Sequence, residues 1–320
     1  MSRRRIRFLA FVTGLGLALG ASGAAFAAFF ATTSNSGNSF SAAPDLTAPT
    51  AGASVIQRSP AGYLAGSIRP GATYYVFASV TDTGNPASGV ASVTADVSTI
   101  TAGQTAAALA SGSYTVQGVS YNYRSALLTA DAGLTAGAKP YTLTMTDAAG
   151  NAGTQSFSVT VDTTVPAGSD VQTANGGATA GKAEAGDTIT FTFSEQIDPG
   201  SILAGWTGAS TLVTVRLNNG GGGNDSAQIW NAANTAELAL GSVNLGRTDY
   251  VTASRTFGSS TMVQSGNTIV VTLGTASGVV PTAGGTGTMT WTPSATATDG
   301  AGNACSTAAV TESGAADVEF

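Results

Sequence analysis

The stretch "YTLTMTDAAGNAGTQSFSVTVD" at residues 141–162 contains two runs of alternating character, separated by the loop Thr-Asp-Ala-Ala-Gly-Asn. Alternation with a period of two places successive side chains on opposite faces of a β-strand. Gly and Asn tolerate the positive φ angles of tight turns, and Asp accepts local backbone hydrogen bonds. The stretch therefore predicts a β-hairpin.

The same loop recurs later in the chain. "TATDGAGNAC" at residues 296–305 echoes "TMTDAAGNAG" at residues 144–153. A second pair of matching cues, "LTAPTAG" at residues 46–52 and "TTVPAGS" at residues 163–169, stands before each half of the chain. Proline cannot donate to a strand ladder, so each cue marks a boundary. The two repeats predict two units, at residues 49–163 and 164–320.

Further alternating runs fill both predicted units. In "TYYVFASVT" at residues 73–81, alternation places Tyr74, Val76 and Ala78 on one face and Tyr75 and Phe77 on the other. Many short strands separated by turns are typical of an immunoglobulin-like sandwich. We expect an all-β fold with two tandem immunoglobulin-like β-sandwiches. The remaining predicted strands lie at residues 89–97, 113–121, 125–131, 141–147 and 155–162, and then within 187–202, 211–217, 225–230, 267–274 and 287–299.

The composition agrees with this fold class. Only 9% of residues are charged and 42 of the 320 are glycine, whereas the helix formers Glu, Lys, Gln and Leu are scarce. Such a composition favours strands and turns over helices. The length suffices for two separate hydrophobic cores.

Residues 1–27 have the pattern of a secretory signal peptide. A basic start with Arg3, Arg4, Arg5 and Arg7 precedes an apolar stretch and the small-residue ending Ala-Phe-Ala. We expect cleavage after Ala27 and a secreted or cell-surface protein. An uncleaved membrane anchor is the alternative, since apolar residues continue to Ala31. Sec export is the simpler expectation, although the arginines loosely suggest a twin-arginine signal. Residues 28–48 are expected to form a Ser/Ala/Asn-rich tether between the cleavage site and the first unit.

Charge and histidine content exclude several classes of function. The formal net charge is −6, and removal of the four arginines in residues 1–27 leaves −10. Nucleic-acid binding is not expected, because it requires clustered basic residues. The chain has no histidine, the most frequent general base and a frequent metal ligand. We therefore expect a protein that is not an enzyme. Cys305, the single cysteine, is expected to be a small buried residue, with pairing between chains as the alternative.

A family resemblance rests on three motifs of the second unit. "FTFSEQIDPGSI" at residues 191–202, "NTIVVTL" at 267–273 and "TATDGAGN" at 296–303 resemble the bacterial Ig-like domains of S-layer and other surface proteins. The resemblance covers residues 166–318, departs from the family in its long glycine-rich middle, and extends more loosely to the first unit. It implies a surface or secreted module for spacing, stacking or adhesion. The implied partners are other surface proteins, cell-envelope polymers or further copies of the chain.

The N-terminal segment carries a second resemblance. "AFFATTSNSGNSFSAA" at residues 28–43 resembles the start of camelysin-type exported proteins, some of which build surface fibres, but lacks their Ser/Thr-Asp-Thr after the aromatic pair. It suggests an alternative function, a fibre subunit that donates this strand to the edge of the next molecule. A carbohydrate-binding accessory protein is a third possibility.

The two echoed loops contain the candidate metal ligands. Ca²⁺ requires six to eight oxygen ligands, and each loop offers one carboxylate. A calcium site therefore needs a further acid, from Asp162, Asp187 or Asp198, to converge on the loop. The alternative is that the loops are only turns. The calcium candidates are Asp147, Asn151, Asp299 and Asn303.

Other candidate residues have competing structural roles. Glu195 and Asp198 could form the carboxylate pair of a glycosidase, but the family resemblance accounts for their loop and we expect no catalysis. Among the tryptophans, Trp230 and Trp291 are expected in the core, whereas Trp206 lies between strands and is the candidate carbohydrate contact. The motif "YNYRS" at residues 121–125 offers either an aromatic contact or an arginine stacked on tyrosine.

Overall fold

The computed structural model describes residues 43–316 and 318–320, and these residues form an all-β fold, as predicted. Their strands are β1 (Thr50–Ser59), β2 (Ser67–Ile68), β3 (Thr73–Thr81), β4 (Val90–Asp96), β5 (Ala107–Val116), β6 (Val119–Ser125), β7 (Leu128–Thr129), β8 (Gly137–Asp147), β9 (Ala152–Val161), β10 (Gly168–Ala174), β11 (Thr188–Phe193), β12 (Thr211–Asn218), β13 (Ser226–Asn231), β14 (Glu237–Asn244), β15 (Arg255–Ser265), β16 (Thr268–Thr272), β17 (Thr275–Ala276), β18 (Thr290–Thr292) and β19 (Val310–Thr311). One short helix, α1 (Pro199–Ile202), follows β11. No helix in the described part of the chain is long and apolar enough to cross a membrane.

Strands β1 to β9 form the first sheet, in the order β1-β3-β6-β5-β4-β8-β9-β2, with β7 beside β3. β5 pairs with β4 through its first residues and with β6 along the rest of its length, so it passes between the two layers of a sandwich. The core between the layers combines side chains of β1 and β3 with those of β4, β8 and β9. The sandwich therefore closes around its own hydrophobic core.

The alternation of β3 is confirmed on both faces. Tyr74, Val76 and Ala78 are fully buried in the sandwich core. Phe77 points to the opposite face, where Val116 and Tyr121 of the β5–β6 hairpin cover it. The first sheet is therefore apolar on its outer face as well, around this hairpin.

Strands β10 to β19 form the second sheet, in the order β10-β11-β16-β15-β12-β13-β14-β18-β19, with β17 beside β15. The two ends of this path lie next to each other. The backbone N–H of Ser313, after β19, donates to Asp170 Oδ1 of β10 at 2.8 Å, and Gln172 Nε2 donates to the Ser313 carbonyl at 3.0 Å. The sheet thus curls nearly closed around one continuous core.

Trp291 of β18 lies at the centre of that core. Its ring is fully buried and packs edge-to-face on Phe191 and Phe193, with ring centroids 5.2 and 4.9 Å apart. Its Nε1 donates to the Leu240 carbonyl at 2.7 Å. Alternation within the predicted strand at residues 187–202 puts Ile189, Phe191 and Phe193 on one face, and the burial of all three confirms that they share it.

Several strand predictions were wrong in extent. The run at 113–121 is a hairpin, because Gln117 (φ 49°) and Gly118 (φ 80°) form a two-residue turn between β5 and β6. The runs at 125–131 and 287–299 shorten to the two residues of β7 and the three of β18. β14 and β15 were not predicted, since Gly, Ser and Thr interrupt their apolar residues.

Residues 43–320 form one compact unit in which the two sheets, each with its own core, pack together. The division into domains at residues 163 and 164 stays a prediction. The signal peptide and the strand-donation hypothesis concern residues outside the described range.

We expect Trp291→Phe to lower the free energy of unfolding by about 2–3 kcal/mol, because it leaves a cavity and removes the donor to the Leu240 carbonyl. Urea denaturation measures the change. Trp230→Phe is the control, because Trp230 is half-buried and its Nε1 has no partner in the described residues. Equal losses in the two variants would contradict the central role of Trp291.

Candidate metal centres at the two matching loops

The asparagines of the two echoed loops make the same hydrogen bonds to the aspartate that opens each loop. In the first, Asn151 donates from its backbone N to Asp147 Oδ1 at 2.8 Å and from its Nδ2 to Asp147 Oδ2 at 2.7 Å. In the second, Asn303 makes the same bonds to Asp299, both at 2.8 Å. A glycine with φ near 95°, Gly150 or Gly302, precedes each asparagine. The positive φ explains why each loop requires glycine there.

Each loop also holds the segment that enters its own sheet. We call residues 45–49 and 162–166 the entry segments. Asn151 Nδ2 donates to the Asp45 carbonyl at 2.9 Å, and Asn303 Nδ2 donates to the Asp162 carbonyl at 3.2 Å. The predicted N-terminal segment 28–48 therefore ends in residues that are fixed to the sandwich, with Asp45 only 6% exposed.

We call the hydrogen-bonded contact between each loop and its entry segment a clasp. Three carboxylates lie close together at each clasp. The three residues of a cluster offer oxygens that all lie within 4.8 Å of one another. Asp162 is one of the three acids that the calcium hypothesis named as possible further ligands. Sequence reasoning missed Asp45 and Asp82 and considered Glu195 only for catalysis; the matching Asp-x-Thr-x-Pro segments were the available signal. The first cluster is Asp45, Asp82 and Asp147, and the second is Asp162, Glu195 and Asp299.

Asp187 and Asp198, the other acids considered, do not join these clusters. Asp187 is fully buried and accepts hydrogen bonds from the backbone N–H groups of Gly176, Gly177 and Glu184. Asp198 accepts from Gly200 N at the start of α1 and forms an ion pair with Arg58. Because Asp198 is engaged in this way, it is not free to act with Glu195 as a carboxylate pair.

The carboxylates of the first cluster are satisfied by backbone donors. Asp45 accepts from Thr47 N at 3.0 Å and Ser88 N at 2.8 Å, and these two bonds lower its pKa. Asp82 accepts from Gly84 N and Gly89 N. The negative charge of this cluster is therefore stabilised by the protein itself.

The second cluster contains an unsatisfied carboxylate. Glu195 Oε1 is buried and has no hydrogen-bond partner among the described residues. Burial, together with the nearby charges of Asp299 and Asp162, raises the pKa of Glu195 to about 7. A hard divalent cation would supply the missing partner and neutralise the repulsion, with further ligands from carbonyls and water. The donor set therefore fits calcium better in the second cluster than in the first.

The second loop also forms the junction between the two sheets. Arg58 of β1 pairs with Asp198 and donates from Nε to the Gly300 carbonyl at 2.9 Å. The side chains of the pair are only 12% and 7% exposed. The backbone N–H of Arg69 donates to the Ala301 carbonyl at 3.2 Å. The Arg58 side chain of the first sheet thus binds the loop of the second sheet that contains Gly300.

Close packing at the junction explains the one difference between the loop interiors. A Cβ on Gly300 would lie 2.9 Å from Leu64 Cβ and 3.0 Å from the Tyr63 ring. The first loop has Ala148 at this position, and Ala148 is exposed. Glycine therefore stands where the loop is packed against another part of the chain.

The burial of two tryptophans differs from the expectations. Trp206 is only 8% exposed and its Nε1 donates to the Ala209 carbonyl, so its ring offers little surface to a sugar. Trp230 is half-buried outside the core, with the Arg216 guanidinium 3.4 Å above its ring. Trp291 lies in the core as expected, and Cys305 is buried at 4% exposure.

Comparison with known proteins adds no relative: the chain matches no protein-family model, and no curated protein shows significant similarity to it.

We expect Arg58→Met to lower the free energy of unfolding by about 3 kcal/mol, because it leaves the buried Asp198 carboxylate without its cation. Thermal and urea denaturation measure the change, and Arg58→Met combined with Asp198→Asn should recover most of it. Arg255→Met is the control, because Arg255 forms no ion pair within the described residues. A loss below about 1 kcal/mol would show that the pair does not hold the junction.

The raised pKa of Glu195 predicts how the stability of the calcium-free protein depends on pH. Its folded pKa of about 7 lies above the ordinary 4.5, so the folded protein binds this proton more tightly than the unfolded chain. The Glu195 contribution to the free energy of unfolding should therefore be present below pH 4.5 and decline as pH rises to about 7. Glu195→Gln should remove this decline, measured by urea denaturation across the range. Asp82→Asn is the matched control, and an unchanged profile in Glu195→Gln would refute the assignment.

Proposed function

We propose that the chain is an exported, non-catalytic module of the cell surface, with a structural or adhesive role. The observation that supports this proposal is the repeated clasp between loop and entry segment. It places an acidic cluster where each sheet begins, and the second clasp coincides with the junction between the sheets. A surface spacer requires such fixed connections, whereas an enzyme requires a substrate cleft with free catalytic groups.

The mechanism in this proposal is mechanical coupling. The Arg58–Asp198 pair and the backbone bond from Arg69 to Ala301 keep the second sheet from moving independently of the first. The partners are other surface proteins, envelope polymers or further copies of the chain. Loops remote from the junction are the parts available for such contacts.

Calcium is the second part of the proposal. The ion would be held by Asp162, Glu195 and Asp299, which join the entry segment, the end of β11 and the second loop. It would stiffen the junction, since three separate segments of chain would share one cation. No chemical step depends on it.

Export is tested by producing the full chain in a bacterial host and separating the cell fractions. We expect the mature N-terminus at Ala28, determined by N-terminal sequencing, and degradation by protease added outside the cells or recovery from the medium. A chain that retains residues 1–27 in the cytoplasmic fraction would overturn the proposal. Cleavage is also the outcome that distinguishes a secreted chain from an anchored one.

Calcium is tested by thermal unfolding of the mature protein at pH 7.5 with calcium chloride or with a chelator. We expect calcium to raise the melting temperature by several degrees, because an ion that binds only the folded state stabilises it by mass action. Glu195→Gln should abolish most of the shift, while Asp82→Asn in the first cluster should retain it. An unchanged transition in the wild-type protein would exclude a structural ion in either cluster.

A further inference from the structure

A pocket lies on the outer face of the first sheet, away from both acidic clusters. Gln57 of β1 pairs with Tyr75 of β3 and Val55 pairs with Phe77, so these side chains share the face opposite the sandwich core. The β5–β6 hairpin folds over this face, and Gln117 at its turn donates a hydrogen bond to the Tyr63 carbonyl. The resulting pocket is open to solvent on one side, and its volume of about 310 Å³ falls at the lower end of the range for small-molecule sites.

The side-chain oxygen of Gln57 is a hydrogen-bond acceptor at the pocket to which no described residue donates. Its side chain is only 4% exposed, and its Nε2 makes a single long hydrogen bond of 3.5 Å to the Gly62 carbonyl. Its Oε1 is buried and has no partner among the described residues. A buried amide oxygen is costly to leave unpaired. A donor group inside the pocket would satisfy it.

The guanidinium of Arg124 lines the pocket and has no anionic partner among the described residues. Its guanidinium carbon lies 4.7 Å from the centre of the Tyr75 ring and 4.6 Å from that of Tyr114. The guanidinium thus contacts both rings, yet it forms no hydrogen bond or ion pair with any residue of the described ranges. Arg58, the other arginine of the pocket, is already paired with Asp198. No carboxylate lines the pocket. A planar, preorganised guanidinium of this kind suits a carboxylate.

The apolar wall completes the recognition pattern. Phe77 and Val116 line the same cavity and are each 7% exposed. A ligand suited to this pocket presents an anionic acceptor to Arg124, a hydrogen-bond donor to Gln57 and a C–H surface to this wall. Inorganic phosphate lacks the C–H surface, and a neutral sugar leaves Arg124 unpaired.

We propose that this pocket binds the acidic sugar units of a uronate-containing polysaccharide. Their ring carboxylate pairs with Arg124, and a neighbouring hydroxyl donates to Gln57. The inference rests on the proposed adhesive function for its biological setting, and it gives that function a ligand class. Binding is measured on the purified chain, so its failure is separate from any failure of export.

The test is isothermal titration calorimetry of the mature protein with galacturonic acid oligosaccharides at fixed ionic strength. Galactose oligosaccharides of equal length and inorganic phosphate are the comparison ligands. We expect uronate binding at least about tenfold tighter than either comparison, since losing one charge-assisted hydrogen bond costs that much. Equal affinity for the neutral oligosaccharide, or no detectable uronate binding, would overturn the proposal.

Two variants identify the pocket as the binding site. Arg124→Met should weaken uronate binding about tenfold or more. Arg216→Met, which removes the comparable arginine over Trp230, should leave binding unchanged. Gln57→Leu should weaken binding while leaving the melting temperature equal or higher, because it removes an unsatisfied buried group. A purely structural role for Gln57 would lower the melting temperature instead. Uronate binding that persists in Arg124→Met would place the site elsewhere and refute the assignment.

Discussion

The hydrogen bond from an asparagine amide to a backbone carbonyl of the entry segment is the contact on which the rest of the structure depends. Asn151 and Asn303 each donate from the side-chain Nδ2 twice, once to the aspartate of their own turn and once to the chain before the first strand of the sheet. This contact decides where β1 and β10 begin. The carboxylates of Asp45 and Asp162 arrive at the loops as a consequence, because they belong to the same residues as the bonded carbonyls.

The two clusters differ because the chain leaves β3 and β11 in different ways. After β3, the loop from Asp82 turns back and its glycine N–H groups reach the carboxylate. After β11, the chain proceeds into α1, and the N–H at the start of that helix goes to Asp198. Arg58 also forms its ion pair with Asp198 and not with Glu195. The buried Oε1 of Glu195 is left with neither a donor nor a cation from the described residues.

The sequence predicted features that depend on local pattern. Alternation correctly assigned the faces of β3 and β11, and the repeated loop indicated that the chain has two matching parts. It missed the turn at Gln117, because only a positive φ distinguishes "VQGV" from a continuing strand. It misplaced Trp230, because strand membership does not say which side of a curled sheet is covered. Of the three acids named as possible further ligands, Asp162 lies in a cluster and Asp187 and Asp198 do not, whereas Glu195 was not among them, since its partners are distant in sequence. The pocket at Gln57 and Arg124 depends on a hairpin folding over a sheet face, which no short motif records.

The position of the second clasp decides how the described chain would carry tension. Pulling on its two ends transmits the load along the backbone from β9 through residues 162–166 into β10. Asn303 and the Ser306 N–H, which donates to the Pro166 carbonyl at 2.8 Å, hold this segment on the far side of the junction. These hydrogen bonds must break before β10 can separate from β11. The ion proposed for the second cluster would hold the same segment and would raise the force needed to detach it.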